Sequence, residues 1–201
     1  MLPVTIGDQG SIDAALAREK GDALFDARHR FVLSFGYELP RLTDRNAVTR
    51  LTLGGWQVNG IVQGQTGFPL TVIEPNNVSL TSLTNRPNMT CDPNDGAPHT
   101  VQQWFNTSCF QRLTVAANAG QIGNEPRNAV RGPGFSRTDL SFFKNFVIAR
   151  AQQFQLRVEA FNIFNQERFL QPNGTIGAPT FGQITAADDG RIVQLGVKFT
   201  F

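Results

Sequence analysis

The sequence has few lysines, tyrosines, histidines and cysteines, and it has no long apolar run. Only three of its 18 basic residues are lysines, and its net charge is +2 with acids and bases interspersed. Such a charge distribution excludes a nucleic-acid-binding patch. No segment approaches the roughly 20 consecutive apolar residues that a membrane-spanning helix needs. The sequence is therefore not typical of a helical membrane protein or of a nucleic-acid-binding protein.

Histidine and cysteine, which many catalytic and metal sites use, are also scarce. His29 and His99 stand alone, with no Ser/His/Asp or Cys/His spacing around them. There is no CxxC pair and no nearby pair of histidines, which a zinc site would need. We therefore expect no catalytic residues, no metal site and no cofactor, and we predict that the protein is not an enzyme.

The two cysteines, Cys91 and Cys109, lie in polar, turn-rich sequence. A disulfide closing a loop of this size would stabilise the fold by roughly 3 kcal/mol on the chain-entropy estimate. We favour a disulfide between them, with two free thiols as the alternative. A disulfide would place this part of the chain in an oxidising compartment.

The sequence is rich in phenylalanine, glycine, asparagine and glutamine, and it has 17 Phe but only one Tyr. This composition favours β structure. The clearest stretch is 191–201, where apolar and polar residues alternate, as in a strand with one apolar and one polar face. Such a strand fits between lipid and a water-filled lumen; a half-buried strand of a soluble β-sandwich is the alternative. The apolar set is Val193, Leu195, Val197, Phe199 and Phe201.

Four further segments show the same alternation, so we predict an all-β fold of about five antiparallel strands, too few to close a barrel. The second strand carries three glutamines and an asparagine on one face, which suits contact with water better than a dry core. On the same polar side we predict a lumen network of Asp139, Arg157 and Glu159. The predicted strands are 30–39, 51–65, 137–148, 152–164 and 191–201.

The connections alternate between long and short. Long irregular segments are predicted at 67–135 and 165–189, and short ones elsewhere, as in barrels with elaborate loops at one end only. We therefore assign the long segments to the outer side. Trp104 and Phe105 lie between the cysteines, and we predict that they contact a ligand; a loop that packs on itself is the alternative. Residues 1–27 are predicted as a leading loop with a possible short helix, Ser11 to Lys20.

Five motifs resemble, in order, the C-terminal end of TonB-dependent outer-membrane receptors, and the Oar-like group with a carboxypeptidase-regulatory-like domain is most similar. The resemblance covers about residues 26–201. The motifs are DARHRFVLSFGYELP (26–40), GGWQVNGIVQGQTGFPLTV (54–72), GNEPRNAVRGPGFSRTDLSFFKNF (123–146), FQLRVEAFNIFN (154–165) and RIVQLGVKFTF (191–201).

The resemblance implies a 22-stranded barrel with an N-terminal plug, importing a scarce bulky ligand such as a siderophore, oligosaccharide or peptide. It implies outer-membrane lipid as a partner, the TonB complex as a partner of a missing N-terminal part, and no nucleic acid. Leu195, Val197, Phe199 and Phe201 resemble the signal read by the barrel-assembly machinery. Residues 28–201 are then the final strands of such a barrel, a fragment not expected to transport alone.

The location implied by the resemblance is the outer membrane of a Gram-negative cell. The first ten residues lack the basic and apolar regions of a signal peptide, so we expect any targeting segment to lie outside this chain. The alternative function is a soluble or secreted β-sandwich that binds a ligand such as a carbohydrate. That fold would bury five phenylalanines in one dry core: Phe31, Phe35, Phe142, Phe154 and Phe199.

Overall fold

A computed structural model describes residue 13 and residues 16–81, 84–149 and 152–201. These residues form two compact units. The sheet unit comprises residues 29–65, 135–168 and 188–201. The loop unit comprises residues 66–134 and 169–187 together with the described residues before 29.

The sheet unit is a meander of five antiparallel strands in chain order. Among the described residues no further strand joins the first strand to the last, so the sheet is open and the predicted all-β, unclosed architecture is confirmed. The strands are β1 (Arg30–Glu38), β2 (Trp56–Gln65), β3 (Phe135–Ala149), β4 (Gln152–Phe161) and β5 (Ile192–Thr200).

The predicted start of the second strand is wrong. Residues Ala47–Leu53 form a short helix, α1, and β2 begins at Trp56. The Asn46 side chain accepts a hydrogen bond from the backbone N–H of Thr49 at 2.8 Å, which is an N-cap that favours helix over strand. The predicted end of the fourth strand is also too late, because Asn162 adopts a positive φ of 52°.

The strand register places alternate residues on opposite faces in all five strands. One row runs Tyr37, Val58, Phe142, Val158 and Leu195, each opposite the next across the sheet. Because side chains alternate along every strand, the apolar sets of all five strands share one face. The neighbouring row crosses to the other face and is polar, with Asn59, Ser141, Glu159 and Gln194 in register.

The loop unit is mostly irregular backbone, but it has a core of its own. Two short antiparallel pairs join residues 69–70 to 130–131 and residues 88–89 to 110–111. A short helix, α2 (Val115–Asn118), and a 3-10 turn (Thr107–Cys109) also belong to this unit. The buried cluster consists of Val72, Phe105, Cys109, Phe110, Val130 and Ile176.

The predicted helix Ser11 to Lys20 lies partly outside the described residues. Residues 16–19 are helical, and the backbone N–H of Lys20 bonds to the Leu16 carbonyl at 3.0 Å. None of the helices in the described part of the chain is both long and apolar enough to cross a bilayer.

Gly60 lies in β2 beneath the ring of Phe35, and this close approach generates a prediction. A Cβ at position 60 would stand 2.3 Å from the Phe35 ring and 2.8 Å from Leu140 Cδ2. Gly60→Val should therefore displace the ring and destabilise the sheet by roughly 1–3 kcal/mol, as overpacking does. Urea unfolding in detergent micelles, followed by circular dichroism, would measure the loss.

Gly64→Val is the matched control, since no atom lies within 4 Å of a Cβ built at Gly64 on the same strand. It should change the unfolding free energy by less than about 0.5 kcal/mol, as for surface substitutions. Equal losses in the two variants would contradict the packing of Phe35 on Gly60.

Candidate functional site

The apolar face of the sheet is exposed on its two edge strands and half-buried on the strands between them. On β1, Phe31 is 58% exposed and Phe35 is 43% exposed. On β5, Leu195 is 77% exposed and Phe199 is 49% exposed. Contiguous apolar surface on this scale is rare on water-soluble monomers and marks a surface that meets a partner or a membrane.

This exposure contradicts the sandwich alternative. A sandwich requires Phe31, Phe35, Phe142, Phe154 and Phe199 in one dry core, but Phe142 and Phe154 are half-buried and the other three are exposed. The buried hydrophobic residues of the described chain lie instead in the loop unit. The phenylalanines of the sheet are therefore not its core.

The opposite face of the sheet is lined by amides and charges. Gln57 donates to the side-chain oxygen of Asn59 at 3.3 Å, and Gln194 donates to Glu159 at 2.7 Å. Amide and carboxylate groups require hydrogen-bond partners when removed from water, so a face this rich in them fits an aqueous surface. One face of the sheet is therefore suited to an apolar environment and the other to water.

Each residue of the predicted network of Asp139, Arg157 and Glu159 contacts residues outside that set. Asp139 pairs with Arg137 at 2.8 Å, and it also accepts the backbone N–H of Asn162 at 2.8 Å. Arg157 donates to Gln155 at 2.5 Å and lies over the Phe143 ring, 5.1 Å from its centroid. The three residues share the polar face, but among the described contacts none joins them to one another. Their grouping into one network therefore stays a prediction.

The apolar residues at the end of the chain lie on an edge strand. Leu195 and Val197 are 77% and 63% exposed, and Phe201, just beyond β5, is 91% exposed. The rings of Phe199 and Phe201 stack with centroids 5.9 Å apart. Because β5 is the last strand of the sheet, these side chains and one backbone edge of β5 are accessible together.

A disulfide joins Cys91 to Cys109, with Cα atoms 5.0 Å apart. Cys109 is fully buried, and its carbonyl accepts the backbone N–H of Thr90 at 2.8 Å. The crosslink and this hydrogen bond close the loop of residues 91–109 at its base. The loop is therefore held to the core of the loop unit rather than extended from it.

Phe105 is a core residue, so the prediction that it contacts a ligand is wrong. It is 1% exposed and packs edge-to-face against Phe110 and Phe181, with centroids 5.8 and 5.4 Å away. Such aromatic pairs add to the stability gained by burial. Trp104 is half-buried, and its indole N–H donates to the Arg131 carbonyl at 2.9 Å.

A buried carboxyl group, Glu125, supports the backbone of the loop unit. Its Oε1 accepts the backbone N–H of Val72 at 2.9 Å, and its Oε2 has no hydrogen-bond partner. Burial raises the pKa of Glu125 from 4.5 to about 8, although the Val72 N–H and the charge of Arg86 oppose the shift. No sequence pattern indicated Glu125, since its burial depends on contacts 53 residues apart.

Ion pairs tie the segment before the sheet to the loop unit. Arg131 pairs with Asp26 at 2.7 Å and with Asp22, while Arg86 pairs with Glu19. Residues 19–26 therefore belong to this unit, although the sequence predicted only a leading loop there. Nowhere in the described ranges do three or more His, Cys, Asp or Glu side chains cluster closely enough to hold a metal ion.

Comparison with known proteins gives one match. A family model described as an outer membrane beta barrel domain matches residues 5–194 of the chain. Searches of the curated proteins and of the solved structures returned no match. The match spans all the strands described above except the end of β5.

The burial of Glu125 in the loop unit can be tested through the pH dependence of stability. Because its pKa is raised in the folded chain, the protonated carboxyl stabilises the fold fully below about pH 4.5. That contribution is lost as the pH rises through about 8, on the order of 1 kcal/mol per pH unit. Glu125→Gln keeps a neutral side chain of the same shape, so its melting temperature should fall less between pH 5 and pH 9 than that of the parent.

Trp104 fluorescence in detergent micelles, measured in chains that carry Trp56→Phe, would report this melting, because Trp104 packs against the core of the loop unit. Glu167→Gln is the control, since it replaces an exposed carboxylate of the sheet unit. Parallel pH profiles for the parent and Glu125→Gln would show that Glu125 is not buried as described.

Proposed function

This chain belongs to the outer membrane β-barrel domain family. From that membership, together with the resemblance of its five sequence motifs, we propose that it forms part of the barrel wall of a TonB-dependent receptor of the Oar-like group. The receptor imports a scarce bulky ligand, such as a siderophore, oligosaccharide or peptide. These strands contribute the wall and outer loops and carry out no enzymatic step. The observation that carries the proposal is the apolar face shared by all five strands, which is exposed on β1 and β5 and half-buried on the three strands between them, opposite a face lined with amides and charges.

Hydrocarbon is the environment that suits the apolar face. Removing a valine, leucine or phenylalanine side chain from water is worth about 1.5–3 kcal/mol. The strands are also long enough, because a tilted strand crosses a bilayer with about 9–11 residues and β1, β2, β4 and β5 have 9 or 10. The polar face then lines the water-filled interior of the barrel, with Arg157, Glu159 and Asp139 on that side.

Further strands are needed to complete the wall. The outer edges of β1 and β5 carry backbone groups that cost several kcal/mol each if left unpaired in hydrocarbon. Bacterial barrels contain at least eight strands, and this sheet has five. We therefore assign transport to a larger barrel that includes these strands, and contact with TonB to a separate N-terminal part of that receptor.

The lengths of the connections support an orientation. Residues 66–134 and 162–191 leave the sheet at the same strand ends, whereas residues 39–55 and 150–151 connect the other ends. Barrels of this family class place long loops outside the cell and short turns in the periplasm. An outer position also suits the Cys91–Cys109 disulfide, because such bonds persist in oxidising surroundings.

Two finer assignments complete the proposal. The barrel-assembly machinery recognises the end of β5, where four apolar residues are exposed along an edge strand: Leu195, Val197, Phe199 and Phe201. The disulfide-closed loop takes part in ligand recognition through Trp104, the half-buried aromatic of the predicted pair. Phe105 supports that loop from within the core.

Labelling of intact cells tests location and orientation together. Ala117→Cys introduces a thiol at an exposed position of α2 in the long segment, and Asp44→Cys introduces one in the connection between β1 and β2. In cells that express the receptor, a membrane-impermeant maleimide should label position 117 and leave position 44 unlabelled. The native cysteines are not labelled because they are disulfide-bonded.

Lysed cells are the control, and both positions should react there. Labelling of position 44 in intact cells would contradict the orientation, and recovery of both variants in the soluble fraction would contradict the membrane location. Import itself is followed in the same cells with and without an uncoupler, since TonB-dependent uptake should stop when the proton-motive force is lost.

A further inference from the structure

A pocket of about 530 Å³ lies in the sheet unit at the strand ends joined by the short connections. Its volume is within the range of small-molecule sites. The connection between β1 and β2 forms one wall, and residues 144–147 near the end of β3 form another. Apolar side chains line part of it, including Trp56, Phe146 and Val147.

Lys144 is the buried cation of this pocket. It lies on the apolar face, in register with Trp56 and Leu156, and is 3% exposed. Its ammonium group donates to the Gly54 carbonyl and lies over the Trp56 and Phe146 rings, 5.3 and 5.4 Å from their centroids. Among the described residues, no ion pair involves Lys144. A buried charge without a counter-ion is costly, so this site favours an anion.

The pocket is positively charged overall. Arg41 and Arg50 line it together with Lys144, and Glu38 is the one acidic residue in its lining. Arg41 and Arg50 line the pocket and are exposed, so both side chains are accessible to a ligand from solution. Guanidinium groups bind phosphate through paired N–H donors, whereas an ammonium group acts as a point charge.

The pocket also adjoins the apolar face. Trp56, Lys144 and Phe146 share that face with Phe142 and Phe154 of the neighbouring positions. A ligand with an anionic head at the arginines would therefore place an apolar tail along the sheet. Tryptophan beside cationic side chains at a strand end is also typical of the membrane interface.

We propose that this pocket binds the phosphate headgroup of an anionic membrane lipid, with the acyl chains lying on the apolar face of the sheet. Arg41 and Arg50 bind the phosphate oxygens, and Lys144 supplies a buried positive charge beneath them. The proposal rests on the membrane position proposed above, and it adds a specific lipid site at the end of the strands with short connections.

Quenching of Trp56 fluorescence by brominated lipids tests the proposal. The full chain, carrying Trp104→Phe so that Trp56 is the single tryptophan, is titrated in nonionic detergent with brominated phosphatidylglycerol or phosphatidylcholine. The anionic lipid should quench at a several-fold lower mole fraction than the zwitterionic lipid. Arg41→Gln and Arg50→Gln should each weaken this preference about fivefold, the effect of about 1 kcal/mol for one basic residue.

Arg45→Gln is the matched control, because Arg45 is exposed in the same connection but does not line the pocket. Lys144→Met should also remove the preference; because it breaks the contact with Gly54 as well, the two arginine variants decide the result. Inorganic phosphate, added as a competitor, should not restore fluorescence if the site takes a lipid.

The outcomes separate this proposal from the membrane assignment. Equal quenching by the two lipids, or equal losses in Arg41→Gln and Arg45→Gln, would overturn the lipid site and leave the membrane face intact. Competition by inorganic phosphate would show a phosphate site instead of a lipid site. Absence of quenching by either lipid would overturn the membrane position itself, and the lipid site with it.

Discussion

The register between neighbouring strands determines which side chains meet lipid and which meet water. A shift of one residue in any pair would move an entire apolar set to the polar face. Tyr37, Val58, Phe142, Val158 and Leu195 stay in one row because the pairings keep the same phase along the sheet, and the one register shift lies at the end of the β3–β4 pair, between Val147 and Ala149. The register is helped by side-chain fit, as where the Phe35 ring occupies the space that Gly60 leaves above β2. The division of the sheet into two faces depends on these pairings.

The loop unit is stabilised by a different set of interactions. Its core is built around Phe105, Phe110 and Phe181, and the disulfide fixes Cys109 within it. Buried polar groups add specific backbone contacts, such as the Glu125 bond to Val72. A long segment can therefore lack extended secondary structure and still form a compact unit, because hydrophobic packing and a crosslink offset the entropy of ordering it.

The sequence predicts the sheet well because alternation is a local property. Residues 191–201 and 152–164 are predicted as strands from their own pattern, without reference to the rest of the chain, although the latter strand ends at Phe161. The helix α1 was missed because Leu51 and Leu53 alternate with Thr52 and Gly54 as residues of a strand would, although they are out of phase with the apolar set of β2. Its N-cap at Asn46 lies outside that pattern. Contacts between distant residues could not be predicted in this way. The pairing of Asp139 with Arg137 depends on side-chain geometry, and the burial of Phe105 and Glu125 depends on tertiary packing.

The central claim is that one face of the sheet contacts hydrocarbon and the other contacts water. Spin labels placed singly at residues 193–200 of β5, in a chain reconstituted into lipid vesicles, would test it most directly. Collision rates with oxygen, which concentrates in hydrocarbon, should be high at residues 193, 195, 197 and 199. At residues 194, 196, 198 and 200, collisions with a water-soluble nickel complex should dominate. Accessibility that does not alternate with a period of two, or that alternates in the opposite phase, would contradict the account.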